Sequence, residues 1–307
     1  MKRGIYFIAN DSVLELTIAF LNSLRVYNPD IAVCLIPYDN NIDMLKMLRR
    51  KYNFIIFKDV SLLKTCDNIS KDFHGDIKGH YRKFAIWEGV FDEFIYIDID
   101  TVILHDLSAN FNLLNHYDVL TSVSNIPSMR KWVWKDSIYS TNKLSKKQIE
   151  FAANSGFIVS KKSIITMNNI FKKIPAAVKL KEHMELWCVE QSLFNYVIVT
   201  SLNIKYSSLY ELRWIMGNSY IITERWAGEK GGHIFKRIGK VAFPDLQPVL
   251  FFHWAGEWQP NKFEKMLGRK IRFFMPYKKL WKFYRYFDDK KAKQLNVTQF
   301  KKARIVG

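Results

Sequence analysis

The 307-residue chain has only three cysteines, Cys34, Cys66 and Cys188. They are odd in number and scattered, so they make neither a disulfide framework nor a zinc site and fit a reducing compartment. No apolar run approaches the length that spans a bilayer. The opening residues, Met1-Lys2-Arg3-Gly4-Ile5-Tyr6-Phe7, lack the layout of a signal peptide and run straight into a strand, so a cytoplasmic protein is expected. No internal repeat is found, which excludes solenoids and propellers. Acid is scarce: 29 Asp and Glu stand against 47 Lys and Arg, a formal charge of +18. That excess implies an anionic partner: phosphates, anionic lipid or nucleic acid. What remains is globular, 49% hydrophobic and 25% charged, with length for a sizeable core.

The stretch that organises the rest is Phe94-Ile95-Tyr96-Ile97-Asp98-Ile99-Asp100-Thr101-Val102. Phe94 to Ile97 reads as a buried strand. Alternation along a strand would point Asp98 and Asp100 the same way. Two carboxylates on one side repel each other unless a cation lies between them. The carboxyl ends of strands are where ligands bind in open α/β sheets, and the pair suits Mg²⁺ or Mn²⁺. Two solvated acids at a strand end are the plain alternative.

Around this stretch the chain alternates strand and helix. Ile5 to Ala9, Ile31 to Ile36 and Phe54 to Phe57 read as strands; Leu14 to Tyr27 and Ile42 to Tyr52 read as helices, the first stopped by Asn28-Pro29. This pace predicts an α/β unit with a parallel, nucleotide-binding sheet. Gly79 to Trp87 reads as a helix that carries Lys83. Val119 to Val123 is a further strand. Residues 125 to 148, with Trp132 and Trp134, read as an irregular functional loop region. Asn154-Ser155-Gly156 turns into a strand through Val159. Ile164 to Leu180 is helical in pattern, with a break or kink expected at Pro175. A helix opens near Glu190-Gln191. Short strands and turns follow from 199 to 250, with Ala227 to His233 the most flexible stretch. Val249 to Gly256 is a late buried strand that ends in His253, a third ligand for the acids or else a core histidine. Beyond Gln259 bases and aromatics interleave, which sets a domain of 1–261 apart from an extension, 262–307.

These residues, in this order, resemble glycosyltransferase family 8, the retaining, metal-dependent enzymes of GT-A fold. Phe7 to Ser12 looks like the family's uridine-binding opening, and Tyr81-Arg82-Lys83 like its basic segment. Asp98-Ile99-Asp100 matches its DxD, and Asn154-Ser155-Gly156 its Asn-Ala-Gly turn. Glu190 to Asn195 is similar to its Asp-Gln-x-x-x-Asn, and His253 to Gly256 matches its His-x-x-Gly. Two departures stand out. Gln259-Pro260-Asn261 lies where the family has Lys-Pro-Trp, so Lys262 or another base would carry that charge. Glu190 replaces an Asp.

The resemblance implies a GT-A fold with a Rossmann-like sheet and a UDP-sugar donor. It implies Mn²⁺ or Mg²⁺ held by Asp98, Asp100 and His253, and donor contacts at Ala9, Asn10, Asp11, Lys83, Ile99, Asn154, Ser155, Gly256 and Lys262. Gln191, Glu190 and Lys83 would serve the reaction, with Gln191 orienting rather than attacking. The acceptor would be a glycan or glycolipid in cell-surface polysaccharide or lipopolysaccharide synthesis. The basic, aromatic extension would rest on the anionic inner face of the membrane. Two rivals are weighed. One is a haloacid-dehalogenase-type phosphatase with Asp98 as nucleophile, disfavoured because that motif belongs on a first strand. The other is a nucleic-acid-binding protein, disfavoured because paired acids repel phosphates.

Overall fold

The structure is a computed structural model and describes residues 1–215, 223–227, 235–238, 241–244 and 249–287. Strands, numbered in chain order, are β1 (Arg3–Ala9), β2 (Ala32–Pro37), β3 (Ile55–Ile56), β4 (Glu93–Ile97), β5 (Thr101–Ile103), β6 (Val119–Thr121), β7 (Phe157–Lys161), β8 (Tyr206–Ser208), β9 (Glu224–Trp226), β10 (Phe235–Ile238), β11 (Val241–Pro244) and β12 (Phe251–His253). The chain forms two compact units. The first is Met1–Asn10, Ile31–Asp98 and Ser108–Thr223; the second is Asp11–Asp30, Ile99–Leu107 and Glu224–Gly307. Residues 262–287 therefore share a unit with the late strand and with the helix Leu14–Tyr27.

The first unit holds a seven-stranded sheet, ordered β3-β2-β1-β4-β7-β6-β8. The four strands from β3 to β4 are parallel, as the alternation of strand and helix demands. The sheet then departs from the parallel expectation: β7 runs antiparallel to both β4 and β6. The reversal has a local consequence. Ile97 pairs with Phe157, and the Asp98 N–H donates to the Gly156 carbonyl at 2.9 Å. The antiparallel register thus lays Asn154-Ser155-Gly156 beside the first acid.

Helices on this unit follow their caps. Asp43–Tyr52 was legible from its pattern. Val60–His74 is a further helix with ordinary end signals: Asp59 Oδ1 accepts from the Leu62 N–H, and Gly75 ends it at φ +102°. Gly79–Glu88 is a 3-10 helix rather than an α-helix. It passes so close to Tyr38 that a Cβ on Gly79 would stand 2.2 Å from the Tyr38 carbonyl. Met167–Lys179 runs without a break through Pro175. Its buried stripe, Met167, Ile170, Ile174 and Ala177, outweighs the local penalty of the proline. The segment 125–148 contains the short helices Pro127–Arg130 and Lys146–Phe151 and a 3-10 turn, Asp136–Thr141.

The second unit has a three-stranded sheet, β5-β12-β9, and the hairpin β10–β11. The helix Leu14–Tyr27 packs on the late helix Lys278–Arg285. Asn22 Nδ2 donates to the Tyr284 carbonyl at 2.8 Å, and the Arg285 guanidinium forks onto Glu15. Leu16, Ala19, Val102, Phe252 and Trp254 share one apolar cluster with Leu280, Trp281, Phe283 and Tyr284. Much of Ala227 to His233 and all of 288–307 lie outside the described residues.

Candidate active site

In the first unit a buried lysine organises the polar groups. The 3-10 helix Gly79–Glu88 turns Lys83 inward, leaving it 4% exposed. Its ammonium donates to Glu190, to the Ser155 carbonyl at 3.0 Å and to Ser155 Oγ at 3.4 Å. It also lies 3.6 Å from Asp98 Oδ1 and 4.6 Å from the Tyr96 ring centre. Burial disfavours the ammonium, but Asp98 and Glu190 outweigh it and hold the Lys83 pKa above the ordinary value. Burial likewise pushes Glu190 up; Lys83 and His80 prevail and keep it ionised, below the usual range. The resemblance gives Lys83 to the donor, as a second positive charge at the diphosphate or as a partner for donor hydroxyls. Here its charge is shared between two carboxylates.

The turn and the helix Gln191–Thr200 complete this cluster. Asn154 Oδ1 accepts from the Gly156 N–H at 2.9 Å. Ser155 Oγ donates to Glu190 Oε1 at 2.9 Å, and the Ser155 N–H donates to Gln191 Oε1 at 3.1 Å. Gln191 Nε2 donates to the Trp132 carbonyl at 3.1 Å. The Asn195 amide exchanges two hydrogen bonds with the Ala153 backbone. Six residues between Asn154 and Asn195 thereby lock one another, which is how a helix start becomes a site floor. At the end of β1, Asn10 Nδ2 donates to Asp39 Oδ2 at 2.6 Å, and the Ala9 carbonyl accepts from the Tyr38 N–H at 3.0 Å. Asp11 begins a 3-10 turn of the second unit.

In the second unit a histidine takes the central place. β12 pairs antiparallel with β5, His253 opposite Thr101, so the imidazole comes beside Asp100. His253 Nε2 lies 3.2 Å from Asp100 Oδ1, and Nδ1 lies 2.9 Å from Glu224 Oε2. Asp100 Oδ2 accepts from the Gly256 N–H and from the Trp258 indole N–H, each at 3.0 Å. Gly256 stands at φ +84°, a left-handed position that suits glycine and aims that N–H. Burial favours the neutral imidazole, yet Asp100 and Glu224 hold the His253 pKa well above its ordinary value. Burial raises the Asp100 carboxyl; His253 and the two N–H donors pull it below the usual range.

β4 stops at Ile97, so Asp98, Ile99 and Asp100 lie in a bend between β4 and β5, not in a strand. Strand alternation therefore does not orient the acids. Other groups do: Tyr96 Oη donates to Asp98 Oδ1 at 2.5 Å, and Asp100 is held as described above. One ligand atom from each of Asp98, Asp100 and His253 falls within 4.8 Å of the others. Two carboxylates and one imidazole, backed by a carboxylate on the far nitrogen, make a donor set that fits a hard or borderline divalent ion. Lys262 begins the helix Lys262–Met266 and is exposed. Asn261 and Glu264 cap that helix reciprocally.

Three contributors were missed in the sequence. Tyr96 could have been read, since it lies two residues before Asp98. Trp258 lies two residues after Gly256 but carries no distinguishing signal. Glu224 is 29 residues from His253, and no local pattern marks it. The thiols offer no competing nucleophile: burial pushes Cys34 and Cys188 up to about 12.

With its seven-stranded mixed sheet, the fold is the GT-A arrangement of glycosyltransferases. The chain is similar to galactosyltransferase LgtC solved with donor and acceptor sugar analogues, with a TM-score of 0.52 and 12% identity over 91% of this chain and 95% of that one. It is similar to an active-site mutant of LgtC, at 0.50 and 14% over 86% and 95%. It is also similar to the bifunctional glycosyltransferase WbbM in its apo form, at 0.51 and 15% over 91% of this chain. The chain spans about half of WbbM, 49% of its length. No family model matches the chain, and no curated protein sequence matches it. At these identities the likeness establishes the fold.

Proposed function

We propose that the protein is a metal-dependent glycosyltransferase. It would move a sugar from a UDP-sugar to a hydroxyl of a glycan or glycolipid, retaining the anomeric configuration, in cell-surface polysaccharide or lipopolysaccharide synthesis. The observation that carries this reading is the group Asp98, Asp100 and His253, on a fold shared with glycosyltransferases. Mn²⁺ or Mg²⁺ suits that donor set; when bound, such an ion supplies positive charge beside the departing nucleotide diphosphate. The remaining work falls to the chain's own side chains. Lys83 fixes Asp98 and Glu190 relative to each other. Gln191, whose amide is a poor nucleophile, is held at both ends by Ser155 and Trp132 and so positions the sugar rather than attacking it. LgtC also has an active-site glutamine, the one changed to glutamate in its mutant. Asn10 and Asp11 would meet the uridine, and Asn154 and Ser155 the donor sugar. These roles support a front-face transfer in which the acceptor hydroxyl adds on the side the nucleotide leaves.

The second part of the proposal concerns location. Among the described residues no helix is long and apolar enough to cross a membrane. Phe263, Met266, Leu267, Phe273 and Phe274 are exposed, in a segment that also exposes Lys262, Lys265, Arg269 and Lys270. Such a mixture favours a peripheral position on an anionic membrane face. The test of the function is hydrolysis and transfer from a panel of UDP-sugars with Mn²⁺, with EDTA, and with neither. Metal-dependent turnover of one donor is expected. Turnover indifferent to EDTA, or release of phosphate from simple phosphomonoesters in its place, would remove the reading. An inverted product anomer would remove retention alone.

A further inference from the structure

An open recess of about 280 Å³ is lined by Lys131, Trp132, Glu185 and Trp187, all in the first unit. Trp187 is 80% exposed and Trp132 is 43% exposed. Two large indoles left in water at one place form an apolar surface without a partner, the usual mark of a ligand site. The backbone beneath them is fixed. Trp134 and Met184 form a β-bridge, and the Glu185 N–H donates to the Val133 carbonyl at 3.0 Å. Ser192 Oγ, within 3.0 Å of that same carbonyl, ties in the helix behind. Glu185 Oε1 accepts from the Trp187 N–H at 2.9 Å, and the Lys131 ammonium lies 5.6 Å from the Trp132 ring centre.

The recess is joined to the cluster around Lys83 by two short links. Trp132 receives the Gln191 amide on its carbonyl. Two residues after Trp187 comes Val189, a β-branched residue at φ +53°. That conformation is strained and persists only where the surroundings over-determine it. It sits one residue before Glu190.

We infer that this recess is the acceptor subsite, and that it takes a hexopyranose ring. The ring's apolar C–H face would lie on Trp187 and Trp132, and its hydroxyls would meet the Glu185 carboxylate and the Lys131 ammonium. An indole suits this task because it offers a flat apolar body at little cost in conformational freedom. The inference rests on the glycosyl-transfer reading and adds to it a place for the acceptor and the ring that binds there.

The test uses the full chain and two methyl glycosides, methyl β-D-galactopyranoside and methyl β-D-glucopyranoside. Binding is read by saturation-transfer difference NMR for the wild type, Trp187→Ala, Trp187→Phe and Trp132→Ala, with circular dichroism as the check on folding. A separate thermal-shift titration of the wild type uses UDP with Mn²⁺. The wild type is expected to bind at least one glycoside, Trp187→Ala to bind about tenfold more weakly, and Trp187→Phe to recover most of the loss. No binding of either glycoside by the wild type overturns the inference, as does equal binding by wild type and both alanine variants. A response to n-octanol in place of both sugars overturns it in favour of an acyl-chain groove. Stabilisation by UDP and Mn²⁺ without glycoside binding sinks the acceptor subsite alone. Glycoside binding without any nucleotide response sinks the transfer reading and strips the recess of its acceptor role.

Discussion

In the first unit a lysine sits among two carboxylates, Glu190 and Asp98; in the second a histidine sits among two, Asp100 and Glu224. Both cations are buried and both have raised pKa values. The difference lies in what each can give up. A protonated ammonium has no lone pair and stays a cation at any ordinary pH, so the lysine cluster is closed, and we propose that it holds shape. An imidazole can shed its proton and turn the same nitrogen to a metal. The histidine cluster can therefore exchange a proton for an ion, while Glu224 keeps the far nitrogen as a donor. One fold thus carries a permanent internal ion pair and an exchangeable one.

The largest expected effect breaks the exchangeable cluster. Asp100→Asn keeps an oxygen for the Gly256 and Trp258 N–H groups but removes the charge. Asparagine is the better probe than alanine, because alanine would leave two part-buried donors without their acceptor, at about 1 kcal/mol each. Transfer should fall by about a thousandfold, the several kcal/mol that an ion supplies to a developing charge. Near-normal turnover in Mn²⁺ would mean that Asp100 is no ligand. Lys83→Met attacks the closed cluster and should be felt in folding. It strands the buried Glu190 carboxylate and leaves the part-buried Asp98 without its cation, at a cost of about 3 kcal/mol, read from denaturant midpoints. If Lys83→Met is as stable as the wild type while transfer is lost, the lysine is there for substrate and the comparison fails.

Smaller effects sharpen the exchangeable half. Glu224→Gln leaves His253 in place but weakens the acceptor on Nδ1, and Mn²⁺ affinity should drop about 10- to 100-fold by calorimetry. The pH dependence has a definite sign. His253 is raised in the folded state, so its proton adds stability to the metal-free protein below about pH 6.5, and that contribution is lost as pH rises through the folded value. Metal binding must expel this proton, so Mn²⁺ affinity should rise with pH by about tenfold per unit until the imidazole is neutral. A flat profile across that range would show that His253 is not displaced from its proton by the ion.

What was readable in the sequence was whatever is encoded locally. The helix Leu14–Tyr27 matches its pattern because its apolar spacing and the Asn28-Pro29 stop are both short-range. The parallel half of the sheet follows from strand–helix pacing. The antiparallel β7 was not readable, since nothing in Phe157–Lys161 states which neighbour it will pair with. The three candidate ligands, legible as paired acids after a buried strand and a histidine at the end of a late one, do come together, but alternation on a strand does not orient the acids, which lie in a bend. Glu224 reaches His253 only through the pairing of β9 with β12, a long-range event with no trace in nearby residues. The segment after 261 read as an appendage because bases and aromatics alternate there. Its aromatics serve two ends: Trp281, Phe283 and Tyr284 join a core, while others stay in water.

That division decides how membrane docking should be tested. On the count that gives +18, with histidines neutral, the lysine cluster contributes −1 and the histidine cluster −2, so the positive excess lies entirely on other residues. Part of that excess lies at Lys262, Lys265, Arg269 and Lys270, next to Phe263, 68% exposed, and Phe274, 81% exposed. Deleting everything after Pro260 would remove Leu280, Trp281, Phe283 and Tyr284 from their cluster and confuse unfolding with undocking. The cleaner variant is Phe263→Ser with Phe274→Ser in the full chain, which touches no buried side chain. Each basic residue near an anionic surface contributes about 1 kcal/mol, and each ring adds the burial of its apolar area at the headgroup boundary. The wild type should therefore sediment with phosphatidylserine vesicles at low salt and much less at high salt, and remain in the supernatant with neutral vesicles. The double variant should bind the anionic vesicles about tenfold more weakly, with its salt dependence unchanged because no charge was altered. Equal recovery of both proteins in the supernatant, insensitive to salt and to lipid charge, would leave the basic surface to a soluble anion and take the membrane out of the reading.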